Sequence, residues 1–143
     1  MIIAILWRSS LSWKSSDVML HNELTQYLNN VETAVRGIQN ANVERYEEEI
    51  LSSDRINLRI RIRFANGYLL EMNEAVIVEN GQISHLGYRY HFQDQNNRLV
   101  FRYDDTPHFP NLPSFPHHKH TPTGVLATQK PSIIEALTEA TGF

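Results

Sequence analysis

The sequence contains no cysteine, so it has no disulfide framework and no metal site built on thiolates. It also lacks an apolar run long enough to span a bilayer. Residues 1–7 are apolar, but Arg8 ends this run and no small-residue cleavage site follows. We see no internal repeat and no second domain. These absences fit one domain in a reducing compartment, and we expect a cytoplasmic protein with no membrane partner.

An excess of positive charge is missing as well, because the formal net charge is −3. The whole chain therefore has no basic footprint for nucleic acid. The charge is unevenly placed, however. Residues 1–54 hold four basic and eight acidic side chains, whereas residues 55–120 hold eight basic side chains, six acidic ones and six of the seven histidines. An anionic ligand would be drawn to the second region.

Apolar residues make up 41% of the chain, enough for a single core. Their spacing predicts an α+β fold, with an N-terminal helix on a five-stranded antiparallel meander, then a Pro/His-rich extended arm and a short C-terminal helix. Residues 15–17 offer N-cap chemistry for the first helix, which ends near Gly37. The strands follow between residues 43 and 104, the arm covers 104–120, residues 121–130 are loop, and 131–140 form the terminal helix.

The register of the second and third strands follows from keeping apolar side chains on one face. A three-residue loop at 65–67 places Ile62 opposite Leu70 and Arg61 opposite Glu71, whereas a two-residue loop would mix the faces. The glycine that ends this loop suits the left-handed position that the longer loop requires.

A four-residue loop at 94–97 sets the register of the last two predicted strands. It pairs Tyr90 with Phe101 and places Arg89 directly opposite Arg102. Facing like charges destabilise a sheet, so we expect an anion between the two arginines. The candidates for this anion are Asp104, Glu71, Glu74 and a bound phosphate.

The predicted arm carries a proline at every third position, and polyproline II has three residues per turn. Its prolines share one edge, its apolar residues a second edge, and its histidines a third. The residues on these edges are Pro107, Pro110, Pro113 and Pro116; then Phe109, Leu112 and Phe115; then His108, Asn111, Ser114 and His117. We therefore expect a stiff arm that docks by its apolar edge and presents histidines.

These histidines and arginines have the chemistry for cleaving a phosphodiester. Histidine titrates near pH 6.5, so one can act as base and another as acid, while arginine forks match phosphate geometry. The sequence leaves open which histidine has which role. The candidate site comprises catalytic His91, His117, His118 and His120; phosphate- or RNA-binding Arg89, Arg102, Lys119 and Arg61; and supporting His108, Asp104 and Gln93.

Two alternatives remain open from the residues alone. One is a metal-dependent nuclease or hydrolase, with His118 and His120 as ligands and His108 joining them, because zinc accepts three histidines plus water. No His-Glu-x-x-His pattern supports it, and the leading hypothesis is cleavage without a metal or other cofactor. The other is a non-enzymatic interaction protein that binds a partner through its Pro-x-x-Pro repeat or apolar edge.

Four segments resemble the TumE family, which comprises small bacterial toxins of toxin–antitoxin pairs. They are residues 88–94 (YRYHFQD), 99–104 (LVFRYD), 106–108 (TPH) and 115–120 (FPHHKH). The family has Asn-Ala-Pro-His-His-Pro where this chain has DTPHFP, so Phe109 replaces a histidine and is not expected to be chemical. The resemblance covers roughly residues 43–140.

The resemblance implies a toxin that acts as an endoribonuclease and stops translation, with a helix-turn-helix antitoxin as its partner and RNA as its substrate. Residues 1–14 do not resemble the family. We therefore expect them to form a divergent, dispensable extension, and residues 15–143 to form one toxin-like domain.

Overall fold

The structure, a computed structural model, describes residues 19–143. Over this range two helices pack on one face of a seven-stranded antiparallel sheet. The predictions for residues 1–14 and for a cap at 15–17 lie outside the described residues. In chain order the elements are α1 (Asn22–Arg36), β1 (Ala41–Ser52), β2 (Arg55–Phe64), β3 (Leu69–Glu79), β4 (Gln82–Gln93), β5 (Leu99–Asp104), β6 (His118–Thr121), β7 (Gly124–Ala127) and α2 (Ile133–Thr141).

Each strand pairs with the next strand in sequence, so the sheet is one continuous meander. The α+β class and both helices are confirmed, but the five-stranded count is wrong because β6 and β7 extend the sheet. Their polar side chains hid them, since a strand without alternating apolar residues gives no periodic signal. Pro122 and Thr123 form the short turn between them, where Thr121 pairs with Gly124.

The core lies between the helices and one face of the sheet, here called the helix face. The helices contribute Leu24, Leu28, Val31 and Val35 from α1, and Ile133, Ala136, Leu137 and Ala140 from α2. His21 caps α1 by accepting a hydrogen bond from the Glu23 amide, and Ser132 caps α2 in the same way. Neither helix of the described chain is long and apolar enough to cross a membrane. The opposite, polar face of the sheet is called the outer face.

The predicted register of β2 and β3 is confirmed. Ile62 pairs with Leu70 and Arg61 with Glu71. Gly67 has a φ of 88°, the left-handed conformation that favours glycine. Alternation was sufficient here because only this register places the apolar side chains of both strands on one face, even though Glu74 interrupts the apolar pattern of β3.

The predicted register of β4 and β5 is wrong by two residues. Arg89 pairs with Asp104, and Arg102 pairs with His91, so the two arginines do not face each other. The Asp94 carboxylate accepts hydrogen bonds from the amides of Asn96 and Arg98, which closes a tighter loop. A register shift between Phe92 and Gln93 then displaces the pairing of the remaining β4 residues with β5 by one more position.

The extended arm is not found either. Polyproline II has no internal hydrogen bonds, whereas residues 105–117 form successive turns closed by backbone bonds. The amide of Leu112 donates to the carbonyl of Phe109, Phe115 donates to Leu112, and His117 donates to Ser114. The turns bring Phe109 onto the outer face, and the last histidines of the segment enter β6.

Candidate active site on the outer face

Three neighbouring strands place six polar side chains in two rows across the outer face. The pairings of β4, β5 and β6 define both rows. The first row is His91, Arg102 and His120. The second is Arg89, Asp104 and His118. The structure thus brings together six of the residues predicted from the sequence, and the sheet fixes their order.

Asp104 is the centre of a cluster with two histidines, here called the Asp–His–His cluster. Its Oδ1 atom lies 3.0 Å from His118 Nε2, and its Oδ2 atom lies 3.7 Å from His120 Nε2. The two Nε2 atoms are 3.1 Å apart. Asp104 and His118 are buried, whereas His120 is partly exposed. Among the described residues, these three place potential metal-ligand atoms within 4.8 Å of one another.

Side chains and backbone around the cluster fix its orientation. The Nε atom of Arg102 donates to Asp104 Oδ2 at 3.1 Å, and the Thr106 amide donates to Oδ1. The Phe109 ring packs edge-on against the rings of His118 and His120, with centroids 5.0 and 5.8 Å away. Phe109 therefore packs against the cluster.

Both histidines of the first row favour the neutral form. Burial lowers the pKa of His91, and the charges of Arg89 and Arg102 lower it further, while the bond to Gln93 opposes them. Burial also lowers the pKa of His120, and the positive charge of Arg102 lowers it further. A neutral imidazole can accept a proton at neutral pH, so this row is suited to acid–base chemistry.

Gln93 fixes the tautomer of His91. Its Oε1 atom lies 3.1 Å from His91 Nε2 and can only accept, so Nε2 carries the proton. The Nδ1 atom of His91 is buried without a hydrogen-bond partner among the described residues. His91 therefore presents an N–H group toward the outer face.

Three of the predicted site residues lie elsewhere or are otherwise engaged, and a fourth stays near the cluster. Lys119 is on the helix face, where it bonds Glu139 at 2.6 Å. His117 lies 3.0 Å from the hydroxyl of Tyr88, a residue of the helix face. Arg61 is on the outer face, but it is paired with Glu44 and Glu71. His108 stays near the cluster, since its charge acts on His120.

A second polar cluster, missed by the sequence analysis, is buried on the helix face. The Glu74 carboxylate accepts hydrogen bonds from the hydroxyls of Tyr27 and Tyr90. It also lies 3.2 Å from His85 Nε2 and 3.4 Å from the Lys130 ammonium. Burial alone would raise the pKa of Glu74, but His85 and Lys130 hold it below its usual value.

Sequence alternation could have found Glu74, because it has the same parity as Met72 and Val76 on the apolar face. It could not have found His85. The register shift between β3 and β4 leaves Leu86 unpaired and turns His85 to the helix face, opposite to the side that alternation gives it. Glu74 was also wrongly considered as a partner for the outer-face arginines.

A family model described as toxin TumE matches residues 32–142. The chain belongs to the TumE toxin family. The match begins within α1 and ends just after α2, so it covers both rows of the site. No curated protein and no solved structure matches the chain. Membership of the TumE family makes this chain the toxin component of a toxin–antitoxin system, with a cognate antitoxin as its partner.

Proposed function

We propose that this toxin is an endoribonuclease that inhibits translation, and that the His91–Arg102–His120 row cleaves the RNA backbone. That row is the single observation on which the proposal rests. Neighbouring strands lie about 4.8 Å apart, so the outer two residues of the row are roughly 10 Å apart at their backbones. A phosphodiester above the central arginine would then have a histidine on each side.

Arg102 is well placed to bind that phosphate. Its Nε atom is held by Asp104, which orients the guanidinium. Its two terminal nitrogens have no protein partner in residues 19–143, and they can donate in parallel to two phosphate oxygens. Arg89, which is exposed in the next row, adds a second positive charge. Developing negative charge on the phosphorane oxygens would be stabilised by both side chains.

The two histidines supply the proton transfers. We assign His120 as the base, because it is partly exposed and its lowered pKa keeps it neutral. It would take the proton of the 2′-hydroxyl as that oxygen attacks phosphorus. His91 in its doubly protonated, imidazolium form would give its Nε2 proton to the 5′-oxygen as the P–O5′ bond breaks, and would return to neutral imidazole. The products are a 2′,3′-cyclic phosphate and a free 5′-hydroxyl, and the chemistry needs no metal ion.

A shallow groove gives the RNA strand a path to the row. It has a volume of about 290 Å³ and is lined in part by Arg59, Asn73 and Arg89 on the outer face. These side chains alternate with the apolar ones that point to the core, so the groove follows the polar surface of β2, β3 and β4. Positive charge along it favours a polyanion, mostly through backbone contacts rather than base readout.

We also propose that the antitoxin is a helix-turn-helix protein that covers this outer face. The support is the family assignment together with the cationic residues of the rows. A partner that blocks Arg89 and Arg102 needs acidic residues facing them, because complementary charge sets orientation and association rate. An acid-rimmed surface is thus expected on the antitoxin.

A cleavage assay on the purified full chain tests the enzymatic proposal. A short RNA should be cut to fragments with 2′,3′-cyclic phosphate and 5′-hydroxyl ends, and EDTA should not prevent this. The same RNA carrying 2′-O-methyl groups is the matched substrate control and should stay intact. Fragments with 3′-hydroxyl ends, or cleavage of the methylated RNA, would rule out the proposed mechanism.

Expression in cells tests the biological role separately. The chain should arrest growth when expressed alone, and the product of its neighbouring gene should restore growth. A variant with His91→Ala should be non-toxic at the same soluble level, whereas His21→Asn should stay toxic, because asparagine preserves the helix cap. Normal growth of cells containing soluble parent protein would contradict the toxic action.

A further inference from the structure

The Asp–His–His cluster contains a contact that a neutral His118 and an ionised Asp104 cannot satisfy. His118 Nδ1 lies 2.9 Å from the Pro116 carbonyl oxygen, which only accepts hydrogen bonds, so Nδ1 must carry a proton. In a neutral ring the Nε2 atom then has a lone pair. That atom lies 3.0 Å from Asp104 Oδ1, which is also only an acceptor. A cation must therefore sit between them, and it is either a proton or a metal ion.

A metal ion satisfies more of the cluster than a proton does. A proton on His118 Nε2 points in one direction, and it serves either Asp104 or His120 well, not both. A metal ion takes a lone pair from all three residues at once. Zinc bonds of about 2.0–2.1 Å in a tetrahedral site place ligand atoms roughly 3.3 Å apart. The separations here are 3.0, 3.1 and 3.7 Å.

The surroundings of the cluster are those of a prepared metal site. Ligating histidines usually donate their second ring nitrogen to a carbonyl or carboxylate, as His118 does to Pro116. Asp104 is held in the opposite sense, because its Oδ1 atom accepts a hydrogen bond from the Thr106 amide. His118 is 1% exposed, so its ring cannot turn away to solvent. Only His120 is partly open, which leaves a side from which an ion can enter.

We infer that Asp104, His118 and His120 bind one divalent cation of the zinc class, and that the bound ion inhibits RNA cleavage by occupying His120. Two imidazoles and one carboxylate suit zinc, cobalt or nickel better than magnesium or calcium, which prefer oxygen ligands. Arg102 bonds the same carboxylate and repels a cation, so binding is reversible. The inhibitory half rests on the proposed function, because it needs His120 as the base.

Binding is tested without RNA, on the full chain free of any affinity tag. Cobalt(II) and zinc titrations should each saturate at one ion per chain, and cobalt should show the strong visible absorption of a tetrahedral ion. His118→Gln and His120→Gln should each lower the affinity by at least about tenfold, the loss expected from even an outer partner. His21→Asn is the control, since this exposed histidine begins α1 beside the β1–β2 turn.

The titrations can refute the metal site in two ways. The site is refuted if neither cobalt nor zinc saturates at one ion per chain, or if His21→Asn weakens binding as much as the cluster variants do. Circular dichroism checks folding of each variant. Should the buried His118→Gln variant unfold, the partly exposed His120→Gln variant decides alone, and unchanged affinity in that variant overturns the inference.

Inhibition is tested by adding one equivalent of zinc to the RNA cleavage assay. The rate should fall at least about tenfold, the same factor by which losing a ligand weakens the site, and EDTA should restore it. An unchanged rate overturns the inhibitory half. A raised rate also overturns it, and shows a metal-dependent nuclease instead. If the chain cleaves no RNA under any condition, the proposed function and the inhibitory half fall together, while the cobalt titration still decides the site.

Discussion

Replacing the buried Glu74 by glutamine gives the sharpest test of the helix-face cluster. The carboxylate is 4% exposed and accepts from two tyrosine hydroxyls while it pairs with His85 and Lys130. A glutamine of similar shape keeps one acceptor oxygen but replaces the other with an NH2 group. At least one tyrosine hydroxyl then loses its acceptor, and Lys130 and His85 no longer face a negative charge.

Removing one partner of a buried ion pair costs about 3–5 kcal/mol of unfolding free energy. The lower end applies here, because the His85 and Lys130 side chains are 18% and 17% exposed and can regain some water. We therefore expect Glu74→Gln to lower the unfolding free energy by about 3 kcal/mol. For a chain of this size that corresponds to a drop in Tm of roughly 6–12 °C.

Urea denaturation followed by circular dichroism measures this change at pH 7. Glu79→Gln is the matched control, since Glu79 is exposed at the end of the same strand, and it should change stability by less than about 0.5 kcal/mol. In the Glu74→Gln background, Tyr90→Phe should have a smaller effect than in the parent, because the two residues share one interaction.

The pH dependence has a definite sign. The pKa of Glu74 is lower in the folded chain than its usual value, so its contribution is fully present above about pH 4.3, the unfolded value, and is lost as pH falls through the folded value. The difference in unfolding free energy between the parent and Glu74→Gln should therefore become smaller only below about pH 4.3. A difference under about 1 kcal/mol at pH 7, below the cost of leaving a buried charge unpaired, would refute the described cluster.

Three further predictions concern the outer face. Arg102→Ala should lower the rate of RNA cleavage by about 100-fold or more, the usual effect of removing a transition-state donor. The control Arg98→Ala, in the exposed β4–β5 turn, should leave the rate unchanged. If both variants cleave RNA at the same rate, Arg102 does not bind the phosphate. The pH profile of kcat/KM should be bell-shaped with its maximum below about pH 6.5, because the pKa values of His91 and His120 are both lowered. A maximum above that pH would contradict the assignment of these two histidines as acid and base. Lys119→Met should cleave RNA at the parent rate, and urea denaturation should show a loss of at most about 1 kcal/mol of unfolding free energy. A large loss of activity would show that Lys119 takes part in cleavage.

The sequence predicts the parts of the fold where alternating apolar residues allow only one register. The β2–β3 hairpin is the clearest case, since only one register keeps Ile62 and Leu70 on the same face. The helices were also found from their apolar spacing. In these elements the hydrophobic pattern and the pairing energy favour the same arrangement, so local reasoning is enough.

The remaining features depend on single side chains that periodicity does not register. Asp94 closes the β4–β5 turn and shifts the register, which changes the neighbour of Arg102 from Arg89 to His91. The register shift between β3 and β4 at Ala75 and Val76 turns the His85 side chain to the helix face. The sequence thus named candidate residues on β4 and β5 that share the outer face, but their mutual geometry was wrong, because geometry depends on turns and bulges.

The unbroken meander has a consequence for the synthesis of a toxic protein. Each strand pairs only with its neighbours in sequence, so the sheet can grow in the order in which the ribosome releases the chain. The two rows need β4, β5 and β6, and the last of these begins at His118. A nascent or prematurely terminated chain that stops before His118 would fold its first strands and still lack both rows. Under the proposed function, incomplete products would then be harmless to the cell that makes them.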